Sequence, residues 1–296
     1  MIFLGHSRIF ASFLLVGGLF SAAVAQAQTN IAILQRADAL VGERKYAAAF
    51  QVLQKYDPRN ERPAVVLQKE DIALRYNIGH VQYRRFAFRD VQLTDNLEDF
   101  RNPDSTYTMT AFPLGRALRT LKDHYPNDYK LDRGLGDYYF AVQHCNCAET
   151  SRTDDELFPL IIKYYDVAHE HGYGDYSSYY AQGYSYQRLG KFQESVAPFL
   201  RSIELRKNYP EAHLNLAFVY LELKQFEKAK EQAQLAVELF PDAQHKSDAE
   251  FLLKTVEERI QGKAAATPPA PTATPAPVPA AAPEKATKKS TKQRGV

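Results

Sequence analysis

The chain is short of cysteine, with two among 296 residues, so no disulfide framework can hold it together. It has only 14 Gly, too few for a collagen-like fibre. A formal net charge of +2 gives no electrostatic footprint for nucleic acid over the whole chain. Beyond Phe20 no apolar run approaches the length of a membrane span. Signatures of chemistry are missing too: there is no G-x-x-x-x-G-K-[ST] to cradle phosphate, no G-x-S-x-G and no H-E-x-x-H. Gly134-Leu135-Gly136 is a lone fragment inside a helical pattern. These absences predict a protein that is not an enzyme, with no catalytic residue, cofactor or metal.

What is present is globular. Hydrophobic residues make up 45% of the chain and charged residues 24%, and 19 Tyr with 17 Phe exclude wholesale disorder. Residues 1–27 read as a secretory signal peptide. Arg8 supplies a basic start, Ile9 to Phe20 is almost wholly apolar, and Ala23-Val24-Ala25 and Ala25-Gln26-Ala27 offer cleavage sites. No Cys follows, so a lipid anchor is not expected. The mature protein is expected to be soluble and periplasmic or secreted, in an oxidising compartment.

The other end changes composition abruptly. Over residues 262–296, seven Pro fall between Pro268 and Pro283, interleaved with Ala and Thr. Such a run buries no core and is expected to be disordered, extended and semi-rigid. Lys285, Lys288, Lys289, Lys292 and Arg294 follow it against the single acid Glu284. Two readings stand: a solvated end, or a spacer presenting a basic tip to cell wall, anionic lipid or an acidic protein.

Between the ends the pattern is helical and repetitive. A shift of 34 residues lays 176–209 on 210–243. It pairs Tyr186 with Tyr220, Leu189 with Leu223, Phe192 with Phe226, Glu204 with Glu238 and Leu205 with Leu239. Small residues recur as Gly183 and Ala217, Ser195 and Ala229, Ser202 and Ala236, where two helices must approach closely. A turn is placed near Gly190-Lys191 and again near Lys224-Gln225, and Pro241 closes the second copy.

These residues resemble the tetratricopeptide repeat, a helix–turn–helix unit of 34 residues. The second copy fits well. The first departs from the pattern at Ser195, Ser202 and Lys207. The resemblance implies an all-α solenoid: a degenerate helical region over 28–175, with loop insertions near 90–109 and 145–154, then two clear units and a capping helix over 176–261. Residues 31–56 read as one further pair, with Ala37, Tyr46 and Ala49 in the expected places. Helices are also predicted over Asp71–Phe88, Phe112–His124, Leu131–Gln143, Asp155–His171 and Asp248–Ile260. No window alternates with period two, so strands are not expected.

By resemblance, the first helix of each pair lines a concave groove for a partner peptide or protein. That face carries Tyr180, Tyr184, Gln187 and Arg188, then Leu214, Phe218, Leu221 and Glu222. Relatives that clamp a chaperone's C-terminal carboxylate use Lys and Asn there. Tyr180, Tyr184, Leu214 and Phe218 favour an apolar or aromatic peptide instead. Six Tyr within residues 173–186 serve either that role or packing between helices.

His144-Cys145-Asn146-Cys147 is the remaining feature. Cys145 and Cys147 could form a small disulfide ring or remain buried thiols, and redox chemistry is a further reading. With His144, His169 and His171 they could hold zinc or copper. Yet residues two apart on a helix do not share a face, and a helix end explains the histidines equally well. The leading expectation is an exported adaptor in the bacterial envelope, without nucleic acid or a transmembrane segment after signal cleavage. The alternatives are a thiol-redox or metal-handling protein and tethering through the tail.

Overall fold

The computed structural model describes residues 27–91, 107–145 and 152–262. The predicted signal peptide up to residue 26, most of both loop insertions, Cys147 and the tail from residue 263 lie outside them. The described residues divide into two compact units. One holds residues 27–78, 87–91 and 107–109, the other 79–86 and 110–262. The chain is mostly helical, with adjacent helices stacked in pairs as in a tetratricopeptide solenoid.

The first unit contains α1 (residues 27–42), α2 (Tyr46–Tyr56) and α3 (Pro63–Tyr76). Ala49, Phe50 and Leu53 recur at helical spacing on α2 and are buried. Tyr46 stacks on Tyr76 with ring centroids 4.3 Å apart, and Phe50 on Phe88 at 4.6 Å. Lys69 is buried, and its ammonium donates to the Asp57 carbonyl at 2.6 Å and to Asn60 Oδ1 at 2.9 Å. Burial lowers this amine to about 8.

The helix expected over Asp71–Phe88 is corrected. Helix α3 starts earlier, with Pro63 in its first turn, and stops at Tyr76. Just beyond it, Asn77 Nδ2 donates to the Ala73 carbonyl at 2.8 Å. Three short strands follow where none was expected: β1 (Gly79–Val81), β2 (Arg85–Phe88) and β3 (Thr108–Ala111), in the order β1-β2-β3. Strand β2 buries Phe86, Ala87 and Phe88 in succession, so it never alternates and reads as a helix segment in sequence. Its turn is equally silent. Gln82 and Tyr83 take left-handed φ of 48° and 49°, a geometry usually signalled by Gly or Asn.

The second unit is built from α4 (Leu114–His124), α5 (Tyr129–Cys145), α6 (Asp154–Glu170), α7 (Tyr176–Arg188), α8 (Phe192–Leu205), α9 (Pro210–Glu222), α10 (Phe226–Leu239) and α11 (Ala243–Ile260). Thr153 and Glu156 form a capping box before α6, and Asp175 and Ser178 form one before α7. Among the described residues no helix is long and apolar enough to cross a membrane.

One turn recurs. Gly190 and Lys224, equivalent under the 34-residue shift, both adopt left-handed φ, at 69° and 59°. In each case the next amide reaches back to a carbonyl, Lys191 N to Tyr186 O at 2.9 Å and Gln225 N to Tyr220 O at 2.8 Å. Arg44 repeats this between α1 and α2, with φ of 59° and Lys45 N on Leu40 O at 2.8 Å. Helix α1 of the pair predicted over 31–56 therefore ends in the same capping geometry.

Small residues bring the paired helices together. Ala229, Ala233 and Ala236 on α10 are fully buried. In the first copy, the two Ser that depart from the family pattern are fully buried as well, and each satisfies its hydroxyl. Ser195 donates to Phe192 O at 2.8 Å, and Ser202 to Tyr176 O at 2.7 Å.

Candidate functional site

The groove positions fall into separate groups. Tyr180 and Tyr184 are each only 2% exposed. The Tyr180 ring lies 5.1 Å from Tyr209 and 5.9 Å from Phe199, and its hydroxyl accepts from Asn215 Nδ2 at 3.3 Å. Burial pushes that phenol well above its ordinary range. These are packing contacts. Leu214 is also buried, in a cluster with Ala236, Phe240 and Ala249. The positions that keep surface are Gln187, Arg188, Phe218, Leu221 and Glu222, with Phe218 edge-on to Phe192 at 6.1 Å.

Around Arg188 the structure gathers side chains from three helices. The Arg188 guanidinium donates to the Tyr184 hydroxyl at 2.8 Å and pairs with Asp154 at 3.3 Å. It lies over the rings of Phe158 (5.5 Å) and Tyr184 (5.7 Å). From α5, Gln143 Nε2 donates to Asp154 at 3.2 Å, and His144 stacks 5.9 Å from Tyr184. His144 Nδ1 donates to the Phe140 carbonyl at 2.7 Å, which leaves Nε2 as the acceptor nitrogen of the neutral ring. Burial, aided by Arg188, lowers His144 and keeps it neutral. Phe140, Phe158 and Asp154 were not assigned to any site by sequence reasoning. Nothing local marks them, because α5 and α6 reach Arg188 only through tertiary packing.

His169 and His171, which the sequence offered only as alternative metal ligands, each have other partners. His171 donates from Nδ1 to Val167 O at 2.9 Å and stacks on Tyr129. His169 sits between Ser178 Oγ at 2.9 Å and Gln182 Oε1 at 3.2 Å. Cys145 is disulfide-bonded. Among the described residues no group of three or more His, Cys, Asp or Glu is placed to hold a metal ion.

A family model described as TPR repeat matches residues 179–224, and one described as tetratricopeptide repeat matches residues 210–243. The chain carries tetratricopeptide repeats over residues 179–243. Its repeats resemble those of several solved structures. MamA of strain AMB-1 is 17% identical, over 71% of this chain and 98% of that one, with a TM-score of 0.46. A thermophilic TPR protein of Thermus thermophilus is 17% identical over 76% of this chain and 97% of its own, with a TM-score of 0.43. The TPR2B domain of yeast Sti1, solved as a complex with pHsp70, is 17% identical over 44% and 97%, with a TM-score of 0.36. No curated protein matches the sequence.

The helix that precedes the repeats, α6, carries a titratable group with a readable consequence. Burial lowers His169 to about 4. The folded protein thus holds the ring neutral while the unfolded chain takes up a proton near pH 6.5. His169 therefore favours folding fully above pH 6.5, and that contribution is lost as pH falls from about 6.5 to 4. Discounted for the partly exposed ring, the loss is about 2 kcal/mol. Denaturant midpoints of wild type and His169→Gln should converge across that window; a constant gap would remove the linkage.

Proposed function

We propose that this chain, with its tetratricopeptide repeats, is an exported, non-catalytic scaffold that binds a protein partner in the cell envelope through the α7–α9 face. The observation that carries the reading is the pair of 34-residue units, whose first helices leave Gln187, Arg188, Phe218 and Leu221 partly exposed. An aromatic and an aliphatic side chain on one helix provide the anchors a protein interface concentrates its affinity in. Export is supported by the basic start, the apolar run and the two small-residue cleavage sites, and its mature chain should begin at Gln26 or Gln28 by intact mass.

The test is crosslinked co-purification from intact envelopes, comparing wild type with Phe218→Ala/Leu221→Ala. A discrete partner should be recovered with wild type and fall at least tenfold with the variant, while far-ultraviolet dichroism is unchanged. Equal recovery would take the function away from this face.

A further inference from the structure

The first helix of each complete unit ends in one geometry, and α11 ends in the same one. After α7, Leu189 N reaches Ser185 O at 3.2 Å and Gly190 N reaches Gln187 O at 2.9 Å. After α9, Leu223 N reaches Val219 O at 3.0 Å and Lys224 N reaches Leu221 O at 2.9 Å. After α11, Gln261 N reaches Glu257 O at 3.0 Å and Gly262 N reaches Arg259 O at 3.1 Å. Gly262 also has a left-handed φ, 71°, like Gly190 and Lys224. In both complete units this turn sends the chain back along the helix it has just left, α8 along α7 and α10 along α9.

The turn also sets a register. Eleven residues before its left-handed residue stand Tyr179, His213 and Phe251. The Arg201 guanidinium of α8 lies over the Tyr179 ring at 5.9 Å, and His213 Nδ1 donates to Gln232 Oε1 of α10 at 2.8 Å. Each of these two meets the second helix of its own pair. Phe251, the third, is 60% exposed, and among the described residues no element follows α11 to meet it. Thr255 lies one turn along the same face, in the register of the small residues Gly183 and Ala217.

We propose that the Pro/Ala-rich segment of this chain beyond Gly262 takes the second-helix position beside α11, with Pro268 and Pro269 packed on the Phe251 ring. From Gly262 back to Phe251 the helix spans about 16 Å. A polyproline helix rises about 3.1 Å per residue, so about five residues cover that distance and bring Pro268 and Pro269, the first prolines of the run, to the ring. Proline-rich segments dock on aromatic surfaces, and their preset backbone loses little freedom in doing so. The intervening Ala264, Ala265 and Ala266 are small enough to pass close to Thr255.

A second copy of the chain fits the same face less well. Phe251 offers on the order of 200 Å² of apolar surface, against about 800 Å² per partner in a stable interface. A segment tethered at Gly262 is already at high local concentration and needs far less contact to stay bound. The reading is independent of what binds the α7–α9 face.

The test is photo-crosslinking in the full mature chain carrying Phe251→p-benzoylphenylalanine, at a position exposed enough to take the larger ring. Irradiation of dilute monomer, digestion and mass spectrometry then locate the adduct. Most of it should fall within residues 266–271. Pro268→Gly/Pro269→Gly should lower that yield about fivefold by loosening the segment, while Pro279→Gly/Pro283→Gly leaves it unchanged. Melting supplies a readout without the probe. Pro268→Gly/Pro269→Gly should lower the wild-type midpoint by about 2–4 °C, but by less than about 1 °C once Phe251→Ser is present. A crosslink to a second copy, one spread evenly along the tail, or no adduct would overturn the docking, as would equal melting shifts in the two backgrounds.

Discussion

Replacing Asp137 by alanine is expected to cost about 3 kcal/mol and lower the melting temperature by about 10 °C. Asp137 on α5 accepts from Arg133 Nε at 2.8 Å and from the Tyr165 hydroxyl of α6 at 2.8 Å. Arg133 also pairs with Asp175, the cap of α7, at 3.1 Å. Asp137 and Asp175, bridged by Arg133, therefore link three consecutive helices. Burial raises the Asp137 carboxyl while the Arg133 guanidinium opposes the shift. The alanine variant orphans the hydroxyl of a tyrosine that is 1% exposed and leaves Arg133 with Asp175 as its remaining carboxylate. Adding Tyr165→Phe removes the orphaned hydroxyl, so the double variant should recover about 1 kcal/mol. Asp155→Ala, an exposed acid on α6, should change the midpoint by less than about 1 °C. A loss for Asp137→Ala no larger than that of Asp155→Ala would show that the network contributes nothing.

That network also marks the limit of what the sequence discloses. The 34-residue shift, the turns at Gly190 and Lys224 and the recurrence of small residues are local, periodic signals, and the helices follow them closely. The predicted Asp155–His171 is observed as Asp154–Glu170, and the last helix begins at Ala243 rather than Asp248. Arg133, Asp137, Tyr165 and Asp175 have no such signal, because an ion pair between helices has no period. The strands fail for a related reason. Phe86-Ala87-Phe88 is apolar on consecutive residues, and only a partner strand distinguishes it from a helix. The groove was half legible: the register placed Tyr180, Tyr184 and Phe218 on one helix face each, but burial depends on neighbours. Tyr209 and Asn215 cover Tyr180, while α10 and α11 enclose Leu214. Surface remains at Gln187, Arg188, Phe218 and Leu221, and α5 and α6 supply Gln143, His144 and Asp154 to the same neighbourhood.

Phe199→Ala should destabilise the repeats by about 3–5 kcal/mol, and its coupling to Gly183 should reverse the sign of a second substitution. Phe199 on α8 is fully buried, and a Cβ placed on Gly183 of α7 would lie 2.9 Å from its ring. The second copy solves the same crossing differently, with Ala217 for Gly183 and Ala233 for Phe199, both fully buried. One copy therefore uses no side chain against a large ring, and the other uses two methyl groups. In wild type, Gly183→Ala gains about 1 kcal/mol of helix propensity but drives a methyl into the ring, for a net loss of about 1 kcal/mol. In the Phe199→Ala background the ring is gone, the methyl enters the cavity, and the same change should stabilise by about 1 kcal/mol. The double variant then carries the second copy's pair in the first copy's place. Four chemical denaturation curves close this cycle. A coupling near zero would mean that the crossing of α7 and α8 is not set by the fit of glycine to phenylalanine, and that the 34-residue recurrence of small residues reflects helix propensity alone.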